Sequence, residues 1–252
     1  MRAEIIAEIG INHNGSMDLA KILIDIAKEC GADVAKFQLY NPYSLLKKDD
    51  FSSENWETVL RAELPKTRVF ELKKHCDQKK IEFMASAFDL ERLSWLEEME
   101  VKRHKIASRS IYDLEYIEAV QNTFKPYLVS TGMIQKDNID PKTWRRLNSE
   151  NASFLYCISK YPTPLNEIKF DCFDFAIDKN PHGYSGFSDH TEGLTAAKVA
   201  ISLGAEIIEK HFTLFRRLPG PDQTSSMIPI ELTTLSSFRD EVAEMNLERR
   251  YF

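Results

Sequence analysis

The chain has no long apolar run, and that absence excludes the most. No uninterrupted hydrophobic stretch approaches the about 18 residues that a membrane span requires. The opening MRAEIIAEIG lacks the basic, apolar and small segments of a secretory leader. Glycine is scarce, nine in 252 residues, and forms neither GxGxxG nor a Walker loop, so the common nucleotide cradles are missing. The four cysteines, Cys30, Cys76, Cys157 and Cys172, show no CxxC spacing; they read as reduced, buried thiols. No long basic run offsets a net charge of −6, and the pairs Lys47-Lys48, Arg145-Arg146 and Arg216-Arg217 read as solvated surface. The expectations are no membrane, no nucleic-acid partner and a cytoplasmic location.

What is present is a core-forming composition, 43% hydrophobic against 29% charged, enough to bury one large core. Short apolar runs at 4–12, 33–40, 81–88, 104–108, 126–133, 153–159, 184–190 and 205–212 read as strands. Helical patterns lie between them. Ser16 caps the first, with Leu19, Ile22, Leu23, Ile26, Ala27 and Cys30 at 3.6-residue spacing, and Gly31 stops it. Residues 41–64 read as a long functional loop or lid. Pro65 opens a helix carrying Val69, Leu72 and Cys76. Helices are also expected from Asn138 or Asp140 onward, weakly at 170–177, over 192–203 capped by Thr191, and after Pro229. Eight strand-helix units point to an α/β fold, a single (β/α)8 TIM barrel over 1–252. A doubly wound open sheet shares the alternation but rarely reaches eight even units.

In such a barrel, chemistry sits at the C-terminal strand ends. Those ends carry Glu8, Asn12, Lys36, Gln38, Ser86, Lys105, Ser108, Ser130, Tyr161, Ser188, His190, Glu209 and His211. Alternation aims Lys36, Gln38 and Tyr40 to one side of the second strand. His190 and His211 end successive strands, which lie roughly 5 Å apart in a sheet. Two imidazoles so placed can share a divalent metal and leave positions open for water or substrate. Lysines with hydroxyls and amides suit an anionic small molecule. His75, His104 and His182 read as structural.

A set of motifs carries a resemblance. They are Glu8-Ile9-Gly10-Ile11-Asn12-His13-Asn14-Gly15, Lys36-Phe37-Gln38, Lys105-Ile106-Ala107-Ser108, Ser130-Thr131-Gly132-Met133, Tyr161-Pro162-Thr163-Pro164, Ser188-Asp189-His190-Thr191, Glu209-Lys210-His211-Phe212 and Gly220-Pro221-Asp222. In this order the chain resembles the sialic acid (N-acetylneuraminate) synthases, including those making legionaminic and pseudaminic acids. The resemblance implies a metal-dependent condensation of phosphoenolpyruvate with an open-chain aldose to give a nonulosonic acid and phosphate. It implies that His190 and His211 hold the ion, Mn2+ or else Mg2+ or Co2+. It gives Glu8 the water that attacks phosphoenolpyruvate and places Asp222 near the metal and sugar. Lys36, Ser86, Lys105, Ser108, Ser130 and Ser188 match the grip on phosphate and carboxylate; Gln38 and Tyr161 match sugar contacts.

The chain departs from the pattern in two places. Arg109-Ser110 stands where the family has Gly-Glu or similar, and Ser159-Lys160 replaces an amide-rich position. Both lie on the acceptor side, so Arg109, Ser159 and Lys160 point to an acceptor carrying an acid or phosphate. The resemblance further implies a homodimer in which a C-terminal domain like type III antifreeze protein lends an arginine to the partner's sugar. The sequence ends at Phe252, so the expectation is a separate antifreeze-like protein, or barrel residues such as Arg109 in its place. Two other readings stand beside this one: a Schiff-base aldolase using Lys36 or Lys105, and a non-catalytic sugar- or phosphate-binding relative.

Overall fold

The computed structural model describes residues 2–45, 52–134, 146–147, 149–170 and 184–245. Eight parallel strands pair in chain order and close into a barrel. They are β1 (Glu4–Gly10), β2 (Val34–Leu39), β3 (Glu82–Ala87), β4 (His104–Ile106), β5 (Tyr127–Ser130), β6 (Ala152–Cys157), β7 (Gly186–Asp189) and β8 (Ile207–His211). β8 returns to β1 with Glu8 opposite His211. This is the (β/α)8 barrel that the alternation predicts.

The strands are apolar on both faces because both are covered. Ile6, Val34, Met84, Leu128, Leu155 and Ile207 fill the lower barrel interior as one cluster. The alternate residues of β1, Ile5, Ala7 and Ile9, face outward into the larger core that the helices close. Among the described residues the helices are α1 (Met17–Glu29), α2 (Pro42–Leu45), α3 (Ser53–Arg61), α4 (Lys66–Lys79), α5 (Leu90–Glu98), α6 (Leu114–Gln121), α7 (Thr195–Ser202) and α8 (Pro229–Glu244). Ser16 caps α1, its hydroxyl accepting from Leu19 N at 3.2 Å. Gly31 follows the helix at φ +92°, a left-handed turn that suits glycine. Leu23, Ile24 and Ala27 are its buried stripe. No described helix is long and apolar enough to cross a membrane.

Several sequence expectations need correction. Residues 41–64 are not a plain loop: they contain α2 and α3. α3 is held over the barrel by an apolar cluster of Ile11, Tyr40, Trp56, Val59 and Ala62, and Tyr40 Oη donates to Val59 O at 2.8 Å. Thr191 caps no helix. α7 begins after Leu194, and Thr191 instead pairs with Thr163 as an isolated bridge; its N–H is taken by the Asp189 side chain at 2.8 Å. Pro65 stands just before α4 rather than inside it. The helix expected around Pro141, most of the one at 170–177, His182 and Cys172 lie outside the described residues. Cys30, Cys76 and Cys157 are free thiols. His75 and His104 are structural as expected, 2.7 Å from Asp25 and 2.8 Å from Glu97.

The end of the barrel away from the site is locked by charge. Arg103 pairs with Glu4 and Glu82, and buried Arg239 of α8 reaches Asp33 at 2.7 Å.

Leu155 is fully buried in the interior cluster, so Leu155→Ala leaves a cavity that the surrounding strands cannot close. The expected loss is about 3 kcal/mol, a fall in Tm of about 6–12 °C by calorimetry. A fall below about 2 °C contradicts the interior placement.

Candidate active site

Directly above the apolar layer the barrel interior turns charged. The strand register sets this: Glu8 lies opposite Lys36, Gln38 opposite Ser86, Ser86 opposite Lys105 and Ser188 opposite Glu209. Lys36 Nζ is 2.7 Å from Glu8 Oε2 and 3.5 Å from Glu209 Oε2. Lys105 Nζ is 3.3 Å from Glu209 Oε1 and donates to Ser130 Oγ at 2.6 Å. Ser188 Oγ donates to Glu209 Oε1 at 2.8 Å, and Gln38 Nε2 to Glu8 Oε1 at 3.0 Å. A bulge in β1 between Glu8 and Gly10 brings the backbone close here. A Cβ on Gly10 would lie 3.2 Å from Gln38 Nε2 and 3.3 Å from Glu8 Oε1, and its φ of +53° favours glycine as well.

Charge pairing decides the protonation of this floor. Burial alone would lower the Lys36 pKa, but Glu209 and Glu8 raise it. Burial wins at Lys105, whose pKa is lowered despite Glu209. At Glu209 burial acts to raise the pKa, yet Lys105 and Lys36 overcome it and bring the carboxyl to about 2.

Above the floor stand the imidazoles of His190 and His211, ring centroids 5.8 Å apart. Tyr161, exposed at the mouth, lays its ring 4.0 Å from that of His190. Burial lowers the pKa of both histidines, which favours the neutral, lone-pair-bearing form that binds metals. His190 Nδ1 lies 2.7 Å from Ile158 O, a hydrogen bond that leaves Nε2 as the ring's acceptor. His211 Nδ1 is buried without a hydrogen-bond partner, 4.0 Å from Asp222 Oδ2. This donor set fits a divalent cation with positions left for water or substrate. Among the described residues no three His, Cys, Asp or Glu side chains already stand at coordination spacing.

Floor and imidazoles line one cavity of about 510 Å³. Most residues singled out from the sequence border it: Glu8, Lys36, Gln38, Ser86, Lys105, Ser108, Arg109, Ser130, Ser159, Tyr161, Ser188, His190, Glu209, His211 and Asp222. Asn12 does not; its Nδ2 donates to Phe212 O and Ser226 Oγ, each at 2.9 Å. Lys160 does not; it pairs with Glu167 instead. The Arg109 guanidinium lies 5.6 Å over the Phe88 ring. Three groups of wall residues carried no assigned role in the sequence. Glu209 stands two residues before His211, and period-two alternation alone puts it on the same face. Cys157 has its Sγ 3.7 Å from His190 Nδ1, and burial raises its pKa to about 11. Ser52, Asn55 and Val59 come from the segment around α3, and the length of the 41–64 connection was their signal.

Glu209 also sets an acid limit on stability. Its folded pKa is below its ordinary value of 4.5, so its contribution is complete above that pH and is lost as pH falls through about 2. In urea unfolding, the stability gap between wild type and Glu209→Gln therefore narrows as pH drops across that window. A gap that stays constant or widens contradicts the pairing.

Comparison with known proteins follows the same lines. The NeuB family model matches residues 23–249. The N,N'-diacetyllegionaminic acid synthase of Campylobacter jejuni is 35% identical over 92% of this chain and 73% of its own length. The N-acetylneuraminate-9-phosphate synthase of Homo sapiens is 32% identical over 92% of this chain and 67% of its own. The crystal structure of the N-acetylneuraminic acid synthetase of Leptospira borgpetersenii, in complex with citrate, superposes with a TM-score of 0.85 at 29% identity. That match covers 100% of this chain and 87% of the other. With a family model spanning most of its length and relatives above 30% identity, the chain belongs to the NeuB family.

Proposed function

We propose that the chain joins phosphoenolpyruvate to an open-chain sugar aldehyde, giving a 2-keto-3-deoxy sugar acid and phosphate in a divalent-metal-dependent reaction. One observation carries this: a floor of paired lysines and carboxylates lies under two imidazoles 5.8 Å apart in the same cavity. Names of the relatives, synthases of legionaminic acid and of N-acetylneuraminate 9-phosphate, support the class of product.

Phosphoenolpyruvate carries about three negative charges, and burying them needs matched donors. Lys36 and Lys105, with the hydroxyls of Ser86, Ser108, Ser130 and Ser188, supply these. The C3 carbon of phosphoenolpyruvate forms a bond to the aldehyde carbon, and the aldehyde oxygen gains a proton. Water adds at C2, and the C2–O bond to phosphate breaks. Glu8, held by Gln38 and Lys36, orients that water beneath the reacting carbons. His190 and His211, with Asp222 beside them, would hold the cation, Mn2+ first and Mg2+ or Co2+ as alternatives. Such an ion polarises a carbonyl oxygen and is worth several kcal/mol of charge stabilisation. Gln38, Tyr161 and Ser159 face the acceptor. Arg109, exposed at the mouth, is placed for an acidic or phosphate group on it.

Phosphate release from phosphoenolpyruvate tests this against a panel of hexosamines, acidic sugars and sugar phosphates, after chelation and with Mn2+ restored. Release should require both acceptor and metal. Lys105→Met should raise KM for phosphoenolpyruvate about 30-fold or more, while His190→Ala and His211→Ala should each abolish the response to Mn2+. Lys105, whose pKa burial lowers, is also the amine that a Schiff-base aldolase would use. Chelator-resistant activity with borohydride trapping of pyruvate on Lys105 would establish that reading instead. Mn2+ uptake with no phosphate release from any acceptor would mark a binding protein.

A further inference from the structure

We propose that Asp189 and Lys210, on the outer face of the barrel, are a positioning pair that fixes the spacing of His190 and His211. The inference rests on reading those histidines as the holders of a divalent cation.

Side chains alternate along β7 and β8. Ser188, His190, Glu209 and His211 line the cavity; the intervening Asp189 and Lys210 do not, and they face each other in register. Lys210 Nζ is 2.9 Å from Asp189 Oδ2, with the two side chains 1% and 0% exposed. Nζ also donates to Thr191 O at 2.6 Å, while Asp189 Oδ1 accepts from Thr191 N at 2.8 Å. A lysine immediately before His211 thus grips the residue before His190 and the residue after it. His190 is bracketed from behind. The same bracket extends to the mouth, because Thr163 N donates to His190 O at 2.9 Å, and Thr163 lies two residues beyond Tyr161, whose ring stands against that of His190.

Stability alone does not explain a fully buried ion pair, since apolar replacements of similar volume are often as stable or more so. Directional contacts give what apolar ones do not. Two hydrogen bonds from one ammonium group, with a third from Thr191 N to Asp189, fix the offset of two strand ends, where hydrophobic packing would let them slide. Groups behind metal ligands are commonly worth 10–100-fold in metal affinity.

The experiment measures Mn2+ binding to the purified protein by calorimetry, alongside Tm and steady-state kinetics. The variants are Lys210→Met, Asp189→Asn and the two combined. Arg103→Met, which breaks ion pairs at the other end of the barrel, reports what loss of stability alone does. Lys210→Met should weaken Mn2+ about 10–100-fold and lower kcat, with KM for phosphoenolpyruvate within about twofold of wild type. The double variant should be no weaker than the weaker single one. It buries no unpaired charge, so it decides the matter if Lys210→Met does not fold. Arg103→Met should lower Tm and leave Mn2+ affinity unchanged. Folded variants that bind Mn2+ within about threefold of wild type overturn the positioning role, as does an equal loss in Arg103→Met. A wild-type protein that takes up no Mn2+ overturns the metal reading itself.

Discussion

Four buried charges share the centre of the barrel, and the site depends on their staying paired. Lys36, Lys105, Glu8 and Glu209 are almost wholly buried, where any one of them unpaired would be strongly unfavourable. Together they leave no net formal charge. An anion entering such a floor meets lysines already desolvated and already aimed, so little reorganisation remains when it binds. The four residues stand on four strands of one closed ring, β1, β2, β4 and β8, and closure of the sheet is what brings them together.

That requirement orders the rest of the structure from below upward. The apolar plug of Ile6, Met84, Leu155 and their neighbours excludes water beneath the charges and keeps their interactions strong. Outside, α1 and α4 through α8 cover strands that are apolar on both faces. Above, α3 and Tyr40 carry Ser52, Asn55 and Val59 to the rim. The imidazoles occupy the middle level, where burial lowers their pKa values and favours the neutral form. One cavity therefore holds a floor of paired lysines and carboxylates together with two buried imidazoles.

The sequence made the barrel legible because eight short apolar runs alternate with helical ones, and two periodicities suffice to read that. It made the floor legible for the same reason: Lys36, Gln38 and Tyr40 alternate, and strand register turns alternation into position. Glu209 was visible as a strand-end residue two places from His211, yet its pairing with two lysines on distant strands is a property of closure that no local pattern carries. α3 was misread as loop because its contacts, Tyr40 to Val59 and Ile11 to Trp56, join segments far apart in the chain. Thr191 was misread as a helix cap because threonine suits that place; the side chain of Asp189 and the bridge to Thr163 claimed its backbone first.

The same distinction separates what the fold says about the two substrates. Of the residues proposed for the anionic one, Lys36, Ser86, Lys105, Ser130 and Ser188 lie on strands, where pairing leaves each side chain one level and one direction, and Ser108 follows the end of β4. Those at the mouth, Arg109, Ser159, Tyr161 and Asp222, lie beyond the strand ends, in loops that a barrel tolerates in many lengths and sequences. Arg109 follows β4 in a short turn beside Phe88, and Lys160, one residue past Ser159, has swung away to Glu167. One residue of loop decides whether a cation faces the cavity or the solvent. A strand cannot be altered in that way without moving the floor, so the acceptor is the half of the chemistry that is free to vary.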